Sequence, residues 1–224
     1  MFLKSRLGVR CEGKTPEEFE NILITLKAIG NAGRPVSAEK VLLKCAVNLE
    51  APVNMSIAAL EALRRLPCNN EMTEQLLHIY GEHDLDVEIR IAAYLALMKC
   101  PSPEVFKRVA EILQNEVNNQ VGSFVWSHMT NAMESTEPVH GLPQAEMMKD
   151  ALSGMKLREF NLNRLRFSRA WEGSFYSGKY HALSSHSTLR VTGARNKFRK
   201  KLISILEKLE KRNSFAVLSN GLHG

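Results

Sequence analysis

A repeated segment of eleven residues constrains the fold of this chain more than any other feature. The segment Ile57–Pro67, IAALEALRRLP, recurs further along the chain as Ile91–Pro101, IAAYLALMKCP. The two copies agree at seven of the eleven positions, counting Arg65 and Lys99 as a match of charge. A period of about 34 residues with two helices per period is typical of stacked helical hairpins. The alanines of the repeat allow close approach of neighbouring helices, which favours an α-α superhelix.

Amphipathic helical patterns extend from Thr15 to about Ser153. Thr15-Pro16-Glu17-Glu18 combines a capping hydroxyl, a proline and first-turn acids, which predicts a helix N-terminus. The segment Gly30–Gly33 is expected to end this first helix, since glycine commonly ends helices. Seven further helices are predicted at about Ser37–Asn48, Asn54–Leu66, Glu71–Tyr80, Val87–Lys99, Pro103–Gln114, Gln120–Met133 and Leu142–Ser153.

The pattern changes after Met155, where arginines and aromatic residues become frequent and helical periodicity weakens. Short extended segments are expected at Arg166–Arg169, Gly173–Ser177 and Ser187–Gly193. The residues Asn196–Arg212 return to helical spacing. The predicted class is therefore all-α, a right-handed α-α superhelix of HEAT-like hairpins followed by a short extended segment and a helix. Three parts are predicted: an N-terminal tail at 1–14, a helical repeat domain at 15–155, and a basic tail at 156–224.

Charge divides the chain unevenly. The net charge is +6, yet residues 156–224 alone hold 15 Lys+Arg against four acids. A basic end of this kind suits anionic lipid, nucleic acid or an acidic partner, and it equally suits the end of a fragment that has lost its acidic neighbours. The favoured reading of its helix is a solvated face. The candidate basic interaction surface consists of Lys197, Arg199, Lys200, Lys201, Lys208, Lys211 and Arg212.

The sequence contains none of the common motifs for catalysis or metal binding. It has no phosphate-binding loop, dinucleotide fingerprint or nucleophile elbow, and its seven histidines are scattered. The four cysteines, Cys11, Cys45, Cys68 and Cys100, lack the spacing of a zinc site. Cys45 and Cys100 lie in apolar runs and are expected to pack as small hydrophobic residues, with disulfide pairing and redox compartment left open. We therefore predict no enzyme, no cofactor and no metal.

Segments for membrane insertion and export are also missing. No apolar run approaches the length of a transmembrane helix, which needs about 18 apolar residues or more. The first residues, MFLKSRLGVR, lack the apolar core of a signal peptide.

Four segments resemble the helical domain of the large lipid transfer proteins: vitellogenins, apolipophorins, apolipoprotein B and microsomal triglyceride transfer protein. Leu26–Pro35, LKAIGNAGRP, resembles a turn of that domain, and Ile89–Met98, IRIAAYLALM, resembles a helix of it. Glu116–His128, EVNNQVGSFVWSH, and Phe167–Arg169, FSR, are similar to two later segments, in the family's order. The resemblance covers about residues 15–177.

This resemblance implies a non-catalytic scaffold for lipid transport. The chain would be a fragment of the helical domain, wrapped around lipid-binding sheets that lie outside it, with lipid as cargo and other domains of a longer chain as partners. It also implies secretion or residence in the secretory pathway, with the signal peptide lost by truncation. An exposed apolar strip on the concave side is expected, where the sheets would pack.

Two alternatives stay open at this point. A HEAT-like protein-interaction module with a basic tail for an acidic partner predicts a concave surface dominated by charge. Nucleic-acid binding through Asn196–Arg212 predicts a steep salt dependence, and it is the less favoured hypothesis.

Overall fold

The structure, a computed structural model, describes residues 6–33, 36–134, 141–155, 157, 169–175 and 185–191. The described helices are α1 (Pro16–Ala32), α2 (Glu39–Ala46, preceded by a 3-10 turn at Val36–Ala38), α3 (Val53–Leu63), α4 (Asn70–Gly81), α5 (Val87–Leu97), α6 (Pro103–Gln114), α7 (Asn119–Met133) and α8 (Gly141–Ala151). The described strands are β1 (Arg169–Phe175) and β2 (Ser185–Val191). Each helix predicted between Thr15 and Ser153 is present with its ends within a few residues.

The described helices form two layers. Helices α1, α3, α5 and α7 lie side by side in one layer, and α2, α4, α6 and α8 form the second. Short turns join α2 to α3, α4 to α5 and α6 to α7, so each pair makes a hairpin across the layers. This arrangement confirms the predicted superhelix of stacked hairpins.

Helices α5 and α6 differ in how they are buried. In α5, nine of the eleven residues are buried, Ile89 to Leu97 without interruption. Helix α6 buries a single stripe of Val105, Phe106, Val109, Ala110 and Leu113. A helix that is apolar on all sides lies inside a domain, whereas an amphipathic helix covers it from outside. Helix α5 therefore lies in the interior of the stack, whereas α6 lies at its surface.

Local capping explains why the helix ends were predictable. The Thr15 hydroxyl accepts a hydrogen bond from the Glu18 backbone N–H at 3.2 Å, and the Ser102 hydroxyl accepts one from Val105 at 3.2 Å. Prolines follow both caps, at the helix position where a missing N–H costs nothing. Each signal lies within three residues of the boundary that it marks.

The structure confirms that the first helix ends within Gly30–Gly33. Helix α1 continues through Gly30 and stops at Gly33, which adopts the left-handed conformation at φ 66° and caps the helix. Gly30 serves a different purpose, because a Cβ placed there would lie 3.1 Å from the Ala62 Cα. Glycine at this position lets α1 approach the backbone of α3.

All four cysteines form disulfides, Cys11 with Cys45 and Cys68 with Cys100. The expectation that Cys45 and Cys100 pack as small hydrophobic residues is thus incomplete, since each is buried as one half of a disulfide. The first bond fixes the segment before α1 to the end of α2, where Leu7 also joins the core. The second bond links the α3–α4 turn to the α5–α6 turn.

Two of the three extended segments predicted after Met155, at Gly173–Ser177 and Ser187–Gly193, overlap the described strands. Residues 166–168 of the remaining segment lie outside the described residues. Strands β1 and β2 pair antiparallel, from Arg169 opposite Val191 to Phe175 opposite Ser185, and β1 lies against α7. The predicted helix at Asn196–Arg212 lies outside the described residues, and the division into parts at 1–14, 15–155 and 156–224 stays a prediction.

Candidate functional site

A buried ion pair lies at the centre of the stack. Arg90 sits on α5 among apolar residues, and its side chain is 1% exposed. Its Nη1 and Nη2 donate to both carboxylate oxygens of Glu116, which lies in the α6–α7 turn. Its Nε donates to the backbone carbonyl of Tyr80 at 2.9 Å, at the end of α4. One guanidinium therefore fastens three successive elements together.

The Glu116 carboxylate has further partners at the turns. Its Oε1 accepts from the Asn118 backbone N–H at 2.7 Å and lies 3.7 Å from Nδ1 of His83 in the α4–α5 turn. Burying a charge costs several kcal/mol, and a pair recovers this only with good geometry and additional hydrogen bonds. The bidentate contact from Arg90 supplies the geometry, and the Asn118 N–H supplies an additional hydrogen bond.

A second buried contact joins α5 to α7. The Tyr94 hydroxyl and His128 Nδ1 share a hydrogen bond of 2.7 Å, with both side chains buried. The Phe124 ring stacks on His128 at 6.4 Å with an interplanar angle of 4°, and Tyr80 lies 5.7 Å from Tyr94. The aromatic rings thus extend the polar network from α4 through α5 to α7.

The phenol of Tyr80 is unusual within this cluster. Its hydroxyl is buried without a hydrogen-bond partner among the described residues. Burial raises the pKa of Tyr80 well above its ordinary value, the negative charge of Glu116 raises the pKa further, and the positive charge of Arg90 opposes the shift. Tyr80 is therefore neutral at physiological pH.

The chemistry open to this network is structural. Arg90, Glu116, Tyr94 and His128 are all buried, so a dissolved substrate has no access to them in the folded state. Across the described ranges, no group of three His, Cys, Asp or Glu side chains is arranged to hold a metal ion. The network sets the positions of α4, α5 and α7 and of the turns between them.

A cleft of about 590 Å³ lies between the starts of α4 and α6. The Cys68–Cys100 disulfide lies beside it, and Arg108 Nη1 on its wall pairs with Glu74 at 2.5 Å. Most of the lining side chains are polar. An acyl chain in this cleft would lie against the charged side chains of Glu74, Glu104 and Arg108.

The expected apolar strip is not present on the described helices. The exposed large apolar side chains there are Ile24 on α1, Val53 on α3 and Met147 on α8, each on a different helix. The others lie before α1 or in turns. In the part of the chain that the structure describes, no continuous apolar face is available to a sheet. Nor does any helix in that part have the length and apolar character needed to cross a membrane.

Comparison with known proteins gives the family. The family described as Vitellogenin TPR domain matches residues 9–130, more than half of the chain. The chain belongs to the vitellogenin TPR domain family. This confirms the resemblance to large lipid transfer proteins that the four sequence segments carried.

Individual relatives of this vitellogenin TPR domain are far longer. It is 35% identical to apolipophorins of Locusta migratoria over 68% of the chain and 4% of that protein. It is 30% identical to apolipoprotein B-100 of Homo sapiens over 76% of the chain and 4% of that protein. A solved structure titled "Lipid-protein interactions in lipovitellin" superposes with a TM-score of 0.58 and 26% identity, over 71% of the chain and 17% of the other. The chain therefore spans a small part of the relatives' length.

The buried network accounts for two of the family-like segments. Arg90 and Tyr94 belong to IRIAAYLALM, and Glu116 and His128 are the first and last residues of EVNNQVGSFVWSH. In the structure, Arg90 pairs with Glu116 and Tyr94 pairs with His128. Sequence reasoning named these segments without pairing them, although an arginine inside an apolar helix signals a buried partner. The predicted basic surface at Lys197–Arg212 lies outside the described residues.

Proposed function

We propose that this vitellogenin TPR domain is a non-catalytic scaffold of a lipid transport protein. In this proposal the helical stack wraps around lipid-binding sheets in a longer chain, and the sheets hold the cargo. The observation that best supports this proposal is the match to the vitellogenin TPR domain. Two of the family-like segments meet in the structure as a buried network. A network of this kind favours one fixed arrangement of helices, which a scaffold requires.

Secretion forms part of the same proposal. Two disulfides join all four cysteines, and disulfides persist in extracellular and secretory compartments. The family resemblance points to the same compartment. In this proposal the basic surface at Lys197–Arg212 remains solvated.

A chimera tests the scaffold role. Residues 9–130 would replace the matching segment of the Locusta migratoria apolipophorins, and lipid in the secreted product would be measured by mass spectrometry. We expect the chimera to retain lipid, and the 224-residue chain alone to take up little from phospholipid emulsions. Arg90→Met in the chimera should reduce secretion of lipid-loaded product, whereas the exposed substitution Ile24→Gln should not.

Two results would overturn this proposal. One is stoichiometric lipid uptake by the full chain alone, because the cargo site would then lie within it. The other is a chimera that is secreted with both disulfides formed and carries no lipid.

One observation favours a second candidate, a protein-interaction module. The described helices lack a continuous apolar face, and the cleft beside Cys68–Cys100 is lined in part by the charged side chains of Glu74, Glu104 and Arg108. Repeat stacks of this type bind proteins along extended surfaces. A chimera without lipid, together with salt-sensitive binding of an acidic protein to the isolated chain, would favour this function.

A further inference from the structure

Asn54-Met55-Ser56 is the only Asn-X-Ser/Thr sequence with X other than proline in the 224 residues. Such a triplet is the acceptor sequence for N-linked oligosaccharide in the secretory pathway. The triplet alone is a weak signal, because a short motif of this kind also arises by chance. Its position in the fold supplies independent information.

Asn54 lies at the protein surface, as an acceptor of a glycan must. It is exposed and is the second residue of α3, directly after the turn from α2. The turn and the adjoining residues carry exposed apolar side chains, with Leu49 at 77% the most open of them and Val47 and Val53 beside it. A branched sugar attached at Asn54 therefore meets no core packing and stands next to apolar surface that is open to water.

The burial of Ser56 determines when a glycan can be transferred to Asn54. Its side chain is buried at 1% exposure, and its hydroxyl donates to the Cys45 backbone carbonyl at 3.5 Å. Oligosaccharyl transfer requires the Ser hydroxyl to be accessible. Modification at Asn54 therefore precedes the packing of α3 against α2.

We infer that Asn54 carries an N-linked glycan, an inference that rests on the secretory part of the proposed function. The donor is a polyprenyl-diphosphate-linked oligosaccharide. The Asn54 Nδ2 loses a proton and forms a bond to the sugar C1, the bond from C1 to the diphosphate breaks, and the polyprenyl diphosphate leaves. No oxidant or reductant is needed.

A glycan at Asn54 would keep one edge of the stack in contact with solvent. The turn edge comprises the α2–α3, α4–α5 and α6–α7 turns, which lie on the same side of the array. The sugar would cover the apolar side chains around Leu49 and would block docking of a rigid domain there. Partner domains of the scaffold would then contact the layers or the opposite edge.

The test uses the full chain behind a cleavable signal peptide in insect cells, so that entry into the secretory pathway is supplied. Intact mass before and after peptide N-glycosidase should show the loss of one glycan, and peptide mapping should place it at Asn54. Asn54→Gln and Ser56→Ala should each abolish the shift. Ser56→Thr, which keeps an acceptor hydroxyl, should retain it.

A second acceptor provides the matched control. Val117→Thr completes a triplet that begins at the exposed Asn115, in the turn edge, and Val117 itself is 76% exposed. This variant should carry two glycans. An unmodified wild-type chain overturns the inference, and a glycan on Val117→Thr in the same cells would show that the failure is specific to Asn54. The chimera measures lipid independently, so failure of the glycan leaves the scaffold proposal to its own test.

Discussion

The guanidinium of Arg90 is a buried charge that is compensated by the carboxylate of Glu116. Removing one partner of a buried ion pair leaves the other charge uncompensated, which typically costs about 3–5 kcal/mol. We therefore expect Arg90→Met to lower the free energy of unfolding by about that amount, measured by urea denaturation followed by circular dichroism.

A double variant separates the lost pair from lost packing. Glu116→Gln removes the charge and keeps an oxygen for the Asn118 N–H. Arg90→Met with Glu116→Gln should be more stable than Arg90→Met alone, with an interaction energy of about 1–3 kcal/mol. Additive losses would contradict the account of a stranded charge.

The Tyr80 hydroxyl predicts a different response, because it is buried without a described partner. The pKa of Tyr80 is raised in the folded state, so the unfolded chain releases this proton first as pH rises through about 10. Stability contributed by the neutral phenol is present below about pH 10 and declines above it. Tyr80→Phe should leave the free energy of unfolding at pH 8 within about 1 kcal/mol of wild type.

Between pH 9 and pH 11, Tyr80→Phe should lose about 1 kcal/mol less stability than wild type, measured by urea denaturation at both pH values. A loss well above about 1 kcal/mol at pH 8 would instead show that the hydroxyl makes a stabilising hydrogen bond.

At the scale of elements, the contact of α1 with α3 depends on Gly30. Alanine normally favours a helix interior by about 1 kcal/mol over glycine. Here the added Cβ would meet the Ala62 Cα at 3.1 Å, and a backbone atom cannot move aside as a side chain can. Gly30→Ala should therefore destabilise the protein by about 1–3 kcal/mol, as overpacking does.

Gly81 is the matched control, since a Cβ there would meet only the Ile112 side chain, with Cδ1 at an ordinary 3.5 Å. Gly81→Ala should be neutral or stabilising when both variants and the wild type are compared by thermal unfolding. Equal effects of the two substitutions would remove close approach as the explanation for Gly30.

Comparison of these elements with the sequence shows which information is local. The start of α6 follows from Ser102 and Pro103, and it was predicted correctly. The end of α1 within Gly30–Gly33 was also predicted correctly. The close approach of Gly30 to Ala62 was not predicted, because Ala62 belongs to α3 and is distant in the sequence. The ion pair of Arg90 with Glu116 was missed for the same reason, since each partner belongs to a different hairpin. Capping acts within a turn, whereas packing and pairing depend on where other hairpins lie.

At the scale of the whole molecule, the stack is held at two places by disulfides of different accessibility. Cys11 and Cys45 are both fully buried with Leu7, so reaching their sulfurs requires the N-terminal segment to leave the core. Cys68 is exposed beside the cleft between α4 and α6. Each bond closes a loop of about 33 residues, which stabilises a fold by about 3–4 kcal/mol in the chain-entropy treatment.

We expect the two bonds to be reduced in order. A small thiolate can attack the exposed sulfur of Cys68 in the folded protein and release Cys100 as a thiolate, whereas attack on Cys11 or Cys45 must await local unfolding. Under native conditions with dithiothreitol, timed alkylation and peptide mapping should label Cys68 and Cys100 at least about tenfold faster, a difference of about 1.4 kcal/mol in opening free energy. Helical circular dichroism should persist after this first step. Simultaneous labelling of all four cysteines would show instead that the stack opens as one cooperative unit, because access to both bonds would then depend on the same global unfolding.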